Sequence, residues 1–523
     1  MAASSARWTA LMVAALAARV LLVHFGWHAP LASRIELSSP VDSLARLREG
    51  AALVEMGLSP YEGSMLHVPP MVLLLFTPFL HVADALGASK APYASIVRSA
   101  PFVALDALVA AALFALAAIY VEAAKGDRRA KKMNDNKHAL KTFSESDDRL
   151  PHFTACAYLL NPMSVLSCAA GSTSALGAFC VVAATVAACK KKPEPILAGA
   201  CLATRLFVTA DVRVPLLLVY PVATLARDGV CAKSVSEEES LPIKESRRSQ
   251  KKKATARFRA TLVGFLATCV VLGFISTRAY ADTETTFREW TNATYVFAFG
   301  LGDLTPNLGI HWYLFAQIFA HFRVFFLVVF HAFPAFLSVL LLVRYGHSRP
   351  LLAIGIVSAL HTVLGPYPTW GNVAGYLAFA PVFTRDFTSK TSAESTTGTE
   401  FKKKRSYVET RYGFAVSAAL VVTATLTPIF WHLWIEARVA NANFLFAVTL
   451  AHFAAQSLLI VSWIGAAVER DAAYSSSFRR LGDDDDDSAE DVFSNDASDV
   501  NTEDGGRSVV RDAPASGLAR RKR

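Results

Sequence analysis

Long apolar runs separated by short polar stretches fill the chain from about residue 8 to residue 467. A helix needs about 20 mostly apolar residues to cross a bilayer, and only helices or closed barrels satisfy their backbone polar groups there. The pattern predicts spans near 8–28, 97–123, 153–168, 173–190, 194–209, 213–226, 258–276, 321–343, 350–366, 369–385, 412–434 and 443–467. A further run, 68–86, opens with Pro69 and Pro70 and contains Pro78, His81 and Asp84, so a re-entrant or interfacial segment is expected there. Leu44, Leu47, Ala51, Ala52, Leu53 and Met56 recur at helical spacing, predicting an amphipathic helix lying on the membrane surface. The expected fold class is an all-α polytopic membrane protein with about twelve transmembrane helices and amphipathic helices outside the bilayer.

Orientation follows from Lys and Arg. The basic loops at 125–150 (Arg128, Arg129, Lys131, Lys132, Lys137), 227–257 (Arg247, Arg248, Lys251 to Lys253) and 386–411 (Lys402 to Lys404, Arg405) are separated by even numbers of spans. The short connections Lys190 to Lys192 and Arg344 to Arg349 are basic too. One cytosolic side accommodates all of them together with both termini, and the first span reads as a retained signal-anchor. The opposite, lumenal face then contains 29–67 and 277–320, and with them the sequon Asn292-Ala-Thr294, a candidate glycosylation site. A membrane domain is expected over 1–468, followed by a disordered acidic cytosolic tail over 469–523 that includes Asp483 to Asp487.

Composition agrees with this picture. Of 523 residues, 53% are hydrophobic and 18% charged, against roughly a quarter charged in soluble proteins. A soluble enzyme, a fibre and a wholly disordered chain are excluded. The formal charge of +9 comes from loops beside apolar runs, so orientation in a bilayer explains it and no nucleic-acid partner is expected. The seven cysteines form no CxxC or Cys/His cluster, and no cofactor or metal is expected. Arg19 and Asp106 look isolated within apolar runs, and no inverted repeat suggests a transporter.

The unusual polar residues gather in the lumenal segments. The first holds Glu36, Asp42, Ser59-Pro60-Tyr61-Glu62 and His67, its carboxylates read as ordinary solvated groups. The second runs Asp303-Leu-Thr-Pro-Asn307-Leu-Gly-Ile-His311-Trp312-Tyr313, where His311 could hold phosphate, act as a base, or sit at the interface with a satisfied hydrogen bond. A third reads Tyr367-Pro-Thr369-Trp-Gly-Asn372, and a fourth Trp431-His432-Leu-Trp434 followed by Asn441-Ala-Asn443-Phe444. Asn441 and Asn443 could cap the following helix or donate to a lipid head group, and capping needs only one of them. No Walker loop, HExxH, GxSxG or lumenal Asp-x-Asp pair is present; the nearest approach is Asp282-Thr-Glu284.

These segments, with Tyr158-Leu-Leu-Asn161-Pro162, Leu166-Ser-Cys168 and Ser172-Thr173, resemble the PIG-U family of glycosylphosphatidylinositol (GPI) transamidase subunits from about residue 7 to 467. The resemblance implies an architecture like the multi-span (GT-C type) mannosyltransferases of the endoplasmic reticulum membrane. It also implies a complex with a caspase-like catalytic subunit, the S and T components and the GPI anchor attachment subunit. The implied role is non-catalytic: recognising the GPI lipid and positioning it, while the partner protease subunit performs transamidation. GPI-binding candidates are Asp303, Asn307, His311, Tyr367, Asn372, His432, Trp434, Asn441, Asn443 and Phe444, with no catalytic residue. Asn372 stands where the resemblance leads one to expect an acidic residue, and the loops at 227–257 and 386–411 and the acidic tail are larger than in the family pattern. The alternative is an active dolichol-phosphate-mannose-dependent mannosyltransferase, which would need an early carboxylate such as Glu36 or Asp42.

Overall fold

The computed structural model describes residues 2–86, 92–132, 141–228, 244–283, 285–388 and 413–494. Every element among the described residues is helical. The amino-terminal part comprises α1 (Ala2–His24), α2 (His28–Ala32), α3 (Leu44–Glu55), α4 (Pro70–Ala85), α5 (Pro92–Lys132), α6 (Lys141–Leu159) and α7 (Pro162–Ala170). A central set follows: α8 (Ser174–Cys189), α9 (Pro195–Val208), α10 (Arg213–Asp228) and α11 (Lys244–Arg278). Short pieces α12 (Phe287–Thr291), α13 (Phe297–Gly300) and α14 (His311–Gln317) lead to α15 (Arg323–Tyr345), α16 (Pro350–Val363), α17 (Trp370–Thr388), α18 (Gly413–Trp431) and α19 (Ala442–Ser494). The chain divides into two units, Met1–Ala466 and Ala467–Arg523, and the packing described below lies in the first. Of the segment expected to be a disordered tail, α19 reaches Ser494 and residues 495–523 lie outside the described residues. Also outside them are Lys137, Cys231, Glu284, Lys402 to Lys404 and Arg405.

Local sequence explains the breaks. Asn161 caps α7 by accepting from the Met163 N–H, and Pro162, with no N–H to lose, opens the helix. Gly171 closes it at φ +75°, a conformation a side chain disfavours, and a Cβ there would also strike Leu44 at 2.8 Å. The run expected as a span over 153–168 is therefore two helices, α6 and α7, bent by 49°. The run at 68–86 behaves otherwise. Pro70 starts α4 and Pro78 is accommodated within one continuous helix of 16 residues.

Small residues set the tightest packing. A Cβ on Gly199 would lie 2.1 Å from the Thr261 carbonyl oxygen, and one on Gly264 2.4 Å from that of Ile196, so α9 and α11 touch backbone to backbone. Phe76 on α4 stacks on Phe102 of α5 at 4.8 Å, within a core that also includes Leu47, Leu73, Leu176, Phe207 and Trp290.

Six helices among the described residues are long and apolar enough to cross a membrane: 6–24, 96–123, 250–278, 320–345, 413–436 and 442–472. A seventh arises if α6 and α7 make one bent span. The expectation of about twelve rests on elements that are shorter than the runs suggested. Helices α8, α9 and α16, three of the expected crossings, are apolar but only 14 to 16 residues long, and α4, over the run expected not to cross, has 16 residues. At 1.5 Å per residue such a helix measures about 24 Å or less, below the roughly 30 Å of hydrocarbon.

Helix α3 divides its apolar stripe: Leu44, Leu47 and Ala51 are buried in the protein core, and Gly50 faces Leu66 closely enough that a Cβ would lie 2.7 Å from it, whereas Met56 is 71% exposed. One further expectation is corrected. Arg19 and Asp106 are not isolated. Arg19 Nε meets Asp106 Oδ2 at 2.8 Å, both fully buried. Arg19 also donates to the carbonyls of Leu159 (2.7 Å) and Ala15 (3.0 Å) and to Ser164 Oγ (3.0 Å). Tyr158 Oη donates to the other Asp106 oxygen at 2.8 Å. This network ties α1, α5, α6 and α7 together, and sequence separations up to 145 residues hid it.

Candidate functional site

Asp42 joins three distant segments. Its Oδ1 accepts from the Ser39 N–H (2.6 Å) and Ser39 Oγ (2.7 Å), a local turn of the kind short polar side chains favour. Its Oδ2 accepts from Ser172 Oγ (3.0 Å) and Thr369 Oγ1 (3.1 Å), while its carbonyl accepts from the Thr173 N–H. Burial pushes the Asp42 carboxyl above its ordinary range, and the donors from Ser39, Ser172 and Thr369 pull the other way. Asp42 and Glu36 are 4% and 2% exposed, so the reading of both as solvated carboxylates is overturned. Glu36 receives Arg34 Nε at 3.0 Å, and its carbonyl accepts from the Trp370 N–H.

Beside Asp42 lies a cavity of about 100 Å³ between α8, α9, α10, α16 and α17. Its charged wall is built from Arg205, Asp211, Arg213, His331 and His361, and Tyr367 and Asn372 line it as well. Arg213 Nε meets Asp211 Oδ1 at 3.0 Å, and its Nη1 donates to His331 Nδ1 at 3.1 Å. An arginine can only donate, so His331 carries its proton on Nε2, which donates to the Phe299 carbonyl at 2.7 Å. Burial alone would raise the Asp211 carboxyl, but the Arg213 guanidinium, with His361 and Arg205 beyond it, holds it at about 2. None of these five residues was singled out from the sequence. The available signal was a handful of ionisable groups inside or beside apolar runs, which in membrane proteins mark functional interiors.

The residues that were singled out fall into separate places. Tyr367 and Asn372 line the cavity. Tyr367 Oη donates to the Asp303 carbonyl and accepts from its N–H, both at 3.0 Å, and burial pushes the phenol to about 12. Burial would raise the Asp303 carboxyl, but Thr305 and Arg46 (3.1 Å) hold it below its ordinary range. Asn307 is buried and accepts from the Gly309 N–H at 2.8 Å, closing a turn pressed against Pro368. These contacts fasten 303–310 onto the 365–369 connection. His311 is no interfacial residue: it is 2% exposed, packed against Phe315 and Phe330, and burial lowers its pKa to about 3.

The carboxy-terminal candidates form an exposed rim at the facing ends of α18 and α19. His432 Nδ1 pairs with Glu436 at 2.5 Å in a π-helical turn. Trp434 stacks on Trp312 at 6.3 Å, Tyr313 on Phe446 at 4.2 Å, and Phe444 on Phe430 at 5.9 Å. Asn441 caps α19, its Oδ1 accepting from the Asn443 N–H at 3.0 Å. Asn443 is exposed and its Oδ1 accepts from Tyr313 Oη. Asn292 is exposed within a π-helical turn, and Thr294 of the same sequon is buried with its hydroxyl on the Trp290 carbonyl.

Comparison with known proteins accounts for the shared segments. Residues 13–452 match the family described as GPI transamidase subunit PIG-U. The GPI-anchor transamidase component PIGU of Cricetulus griseus is 29% identical over 473 residues, covering 88% of this chain and 93% of that protein. The protein of the same description from Homo sapiens is 28% identical with the same coverage. The GPI transamidase component GAB1 of Saccharomyces cerevisiae is 24% identical over 84% of this chain and 88% of its own length. A match across most of the chain, carried by a polytopic helical protein, has one conclusion: the chain belongs to the PIG-U family of GPI transamidase subunits.

Proposed function

We propose that this subunit holds the GPI lipid for transfer, and that the rim of Tyr313, Trp434, Asn443 and Phe444 receives the donor's polar part. The observation that carries the reading is the division of labour between the two asparagines. Asn441 is committed to capping α19, whereas Asn443 is exposed with its carbonyl oriented by Tyr313 and its amide NH2 without a hydrogen bond among the described residues. Aromatic rings at helix ends suit the boundary between acyl chains and a glycan. The chemistry belongs to a caspase-like partner subunit, with the S and T components and the GPI anchor attachment subunit completing the assembly. Holding the donor amine beside that partner converts an encounter into an oriented reaction.

The same reading puts the chain in the endoplasmic reticulum membrane with both termini cytosolic. The shorter apolar helices pair to complete about twelve crossings of GT-C mannosyltransferase type. A mannosyltransferase activity is disfavoured, because it needs a carboxylate open to substrate. Asp42 is buried and filled by four donors, and Glu36 is 2% exposed, its Oε1 on Arg34 and its Oε2 buried without a hydrogen bond among the described residues.

Asn443→Lys should reduce GPI recovered with the affinity-purified complex by about tenfold, the equivalent of one good polar contact. Asn441→Ser, which preserves a cap, should leave it unchanged. GPI recovery from the Asn443→Lys complex at parental levels, with all subunits present, would remove the rim from consideration.

A further inference from the structure

The cavity beside Asp42 contains a cation with no direct ion-pair partner. The Arg205 side chain forms no ion pair and no hydrogen bond among the described residues, its Nε is buried without a partner, and the carboxylate that acts on it at longer range, Asp211, is already paired with Arg213. The surrounding charges are committed elsewhere: Arg213 to Asp211 and His331, and Asp42 to the donors of Ser39, Ser172 and Thr369. Burial also pushes the Asp42 carboxyl toward its neutral form, so it is a weak counter-charge. With two guanidinium groups against the single Asp211 carboxylate, the cavity keeps a net positive charge that a further anion would offset.

The backbone makes room for this arrangement. A Cβ on Gly177 would lie 2.3 Å from Arg205 Nη1, so glycine at this point of α8 leaves the space the guanidinium occupies. Asn372 lines the same cavity, is partly exposed, and its amide makes no side-chain hydrogen bond among the described residues. The free volume of about 100 Å³ has room for several water molecules, hence for one compact polar group.

We propose that this cavity binds a phosphoryl group, with the Arg205 fork on its oxygens and the Asn372 amide as a second donor. Arginine's planar donors match phosphate oxygens in a way that a point charge does not. The site uses residues distinct from the aromatic rim and does not depend on the reading given to that rim. The phosphoryl group arrives either on a lipid or as free phosphate.

The full chain, purified in a neutral sugar detergent, can be titrated separately with phosphatidic acid, with diacylglycerol and with inorganic phosphate, reading thermal stability and bound lipid by native mass spectrometry. Phosphatidic acid should bind and diacylglycerol, which lacks only the phosphate, should not. Stabilisation by inorganic phosphate as well would identify a free-anion site; stabilisation by the lipid alone would identify a head-group site. Arg205→Gln should weaken binding tenfold or more, and Arg205→Lys by less. Asn372→Asp, at a partly exposed position that does not threaten folding, should weaken it through like-charge repulsion. Equal binding of phosphatidic acid and diacylglycerol, or undiminished phosphate binding in both Arg205→Gln and Asn372→Asp, would overturn the assignment.

Discussion

His311 shows how environment decides what a residue does. Its imidazole is enclosed by Phe315 and Phe330, and desolvation, reinforced by the positive charge of Arg213, lowers its pKa from 6.5 to about 3. A histidine depressed in the folded state contributes stability that is fully present above the unfolded pKa and lost as pH falls below it. Between pH 8 and pH 5 the loss should be about 2 kcal/mol. His28 and His67, also lowered by burial, share the sign, so the informative quantity is a difference. His311→Gln should flatten the fall in denaturation midpoint between those two pH values, and an unchanged slope would show that His311 is not neutral in the fold. The sequence reveals His311 as unusual, among Trp and Tyr near a polar turn. Whether it faces solvent or two phenylalanines depends on α15, which is not a local matter.

At the scale of elements, one buried ion pair organises the amino-terminal helices. Removing one partner strands the other in an apolar interior, at a cost of about 3–5 kcal/mol, whereas neutralising both is far milder. Arg19→Met alone should therefore lower the melting temperature of the detergent-solubilised chain strongly. Arg19→Met combined with Asp106→Asn, which keeps an acceptor for Tyr158, should recover most of the loss. Strictly additive effects would mean that the pair is not coupled. Most helices were legible from apolar runs because membrane solvation demands about 20 apolar residues in a row. Their ends were less legible. The 153–168 run conceals the cap at Asn161, and α3's stripe looks the same whether lipid or Leu66 covers it.

At the scale of the whole molecule, orientation is the testable statement. With 277–320 facing the lumen, Asn292→Gln should abolish an endoglycosidase-sensitive mass shift, and a sequon introduced into 125–150 should remain unmodified. Modification of the introduced sequon would invert the topology. Thr294 is buried in the folded chain, so this prediction requires addition at Asn292 before the turn closes on Trp290.

Sequence by itself determined that the chain is helical and membrane-embedded, and it carried the family-wide segments around Ser59, Asp303, Tyr367, Trp431 and Asn441. Those properties are written in contiguous residues: apolar length, cap chemistry, and motifs read in order. Tertiary structure alone decided which polar groups meet. Asp42 reaches Thr369 across 327 positions, Arg213 reaches His331 across 118, and the Arg205 side chain lines the same cavity with no direct ion pair among the described residues. No periodicity encodes such meetings. In a low-dielectric interior an ionisable group is defined by the few ångströms around it, and only the packing of the helices fills those in.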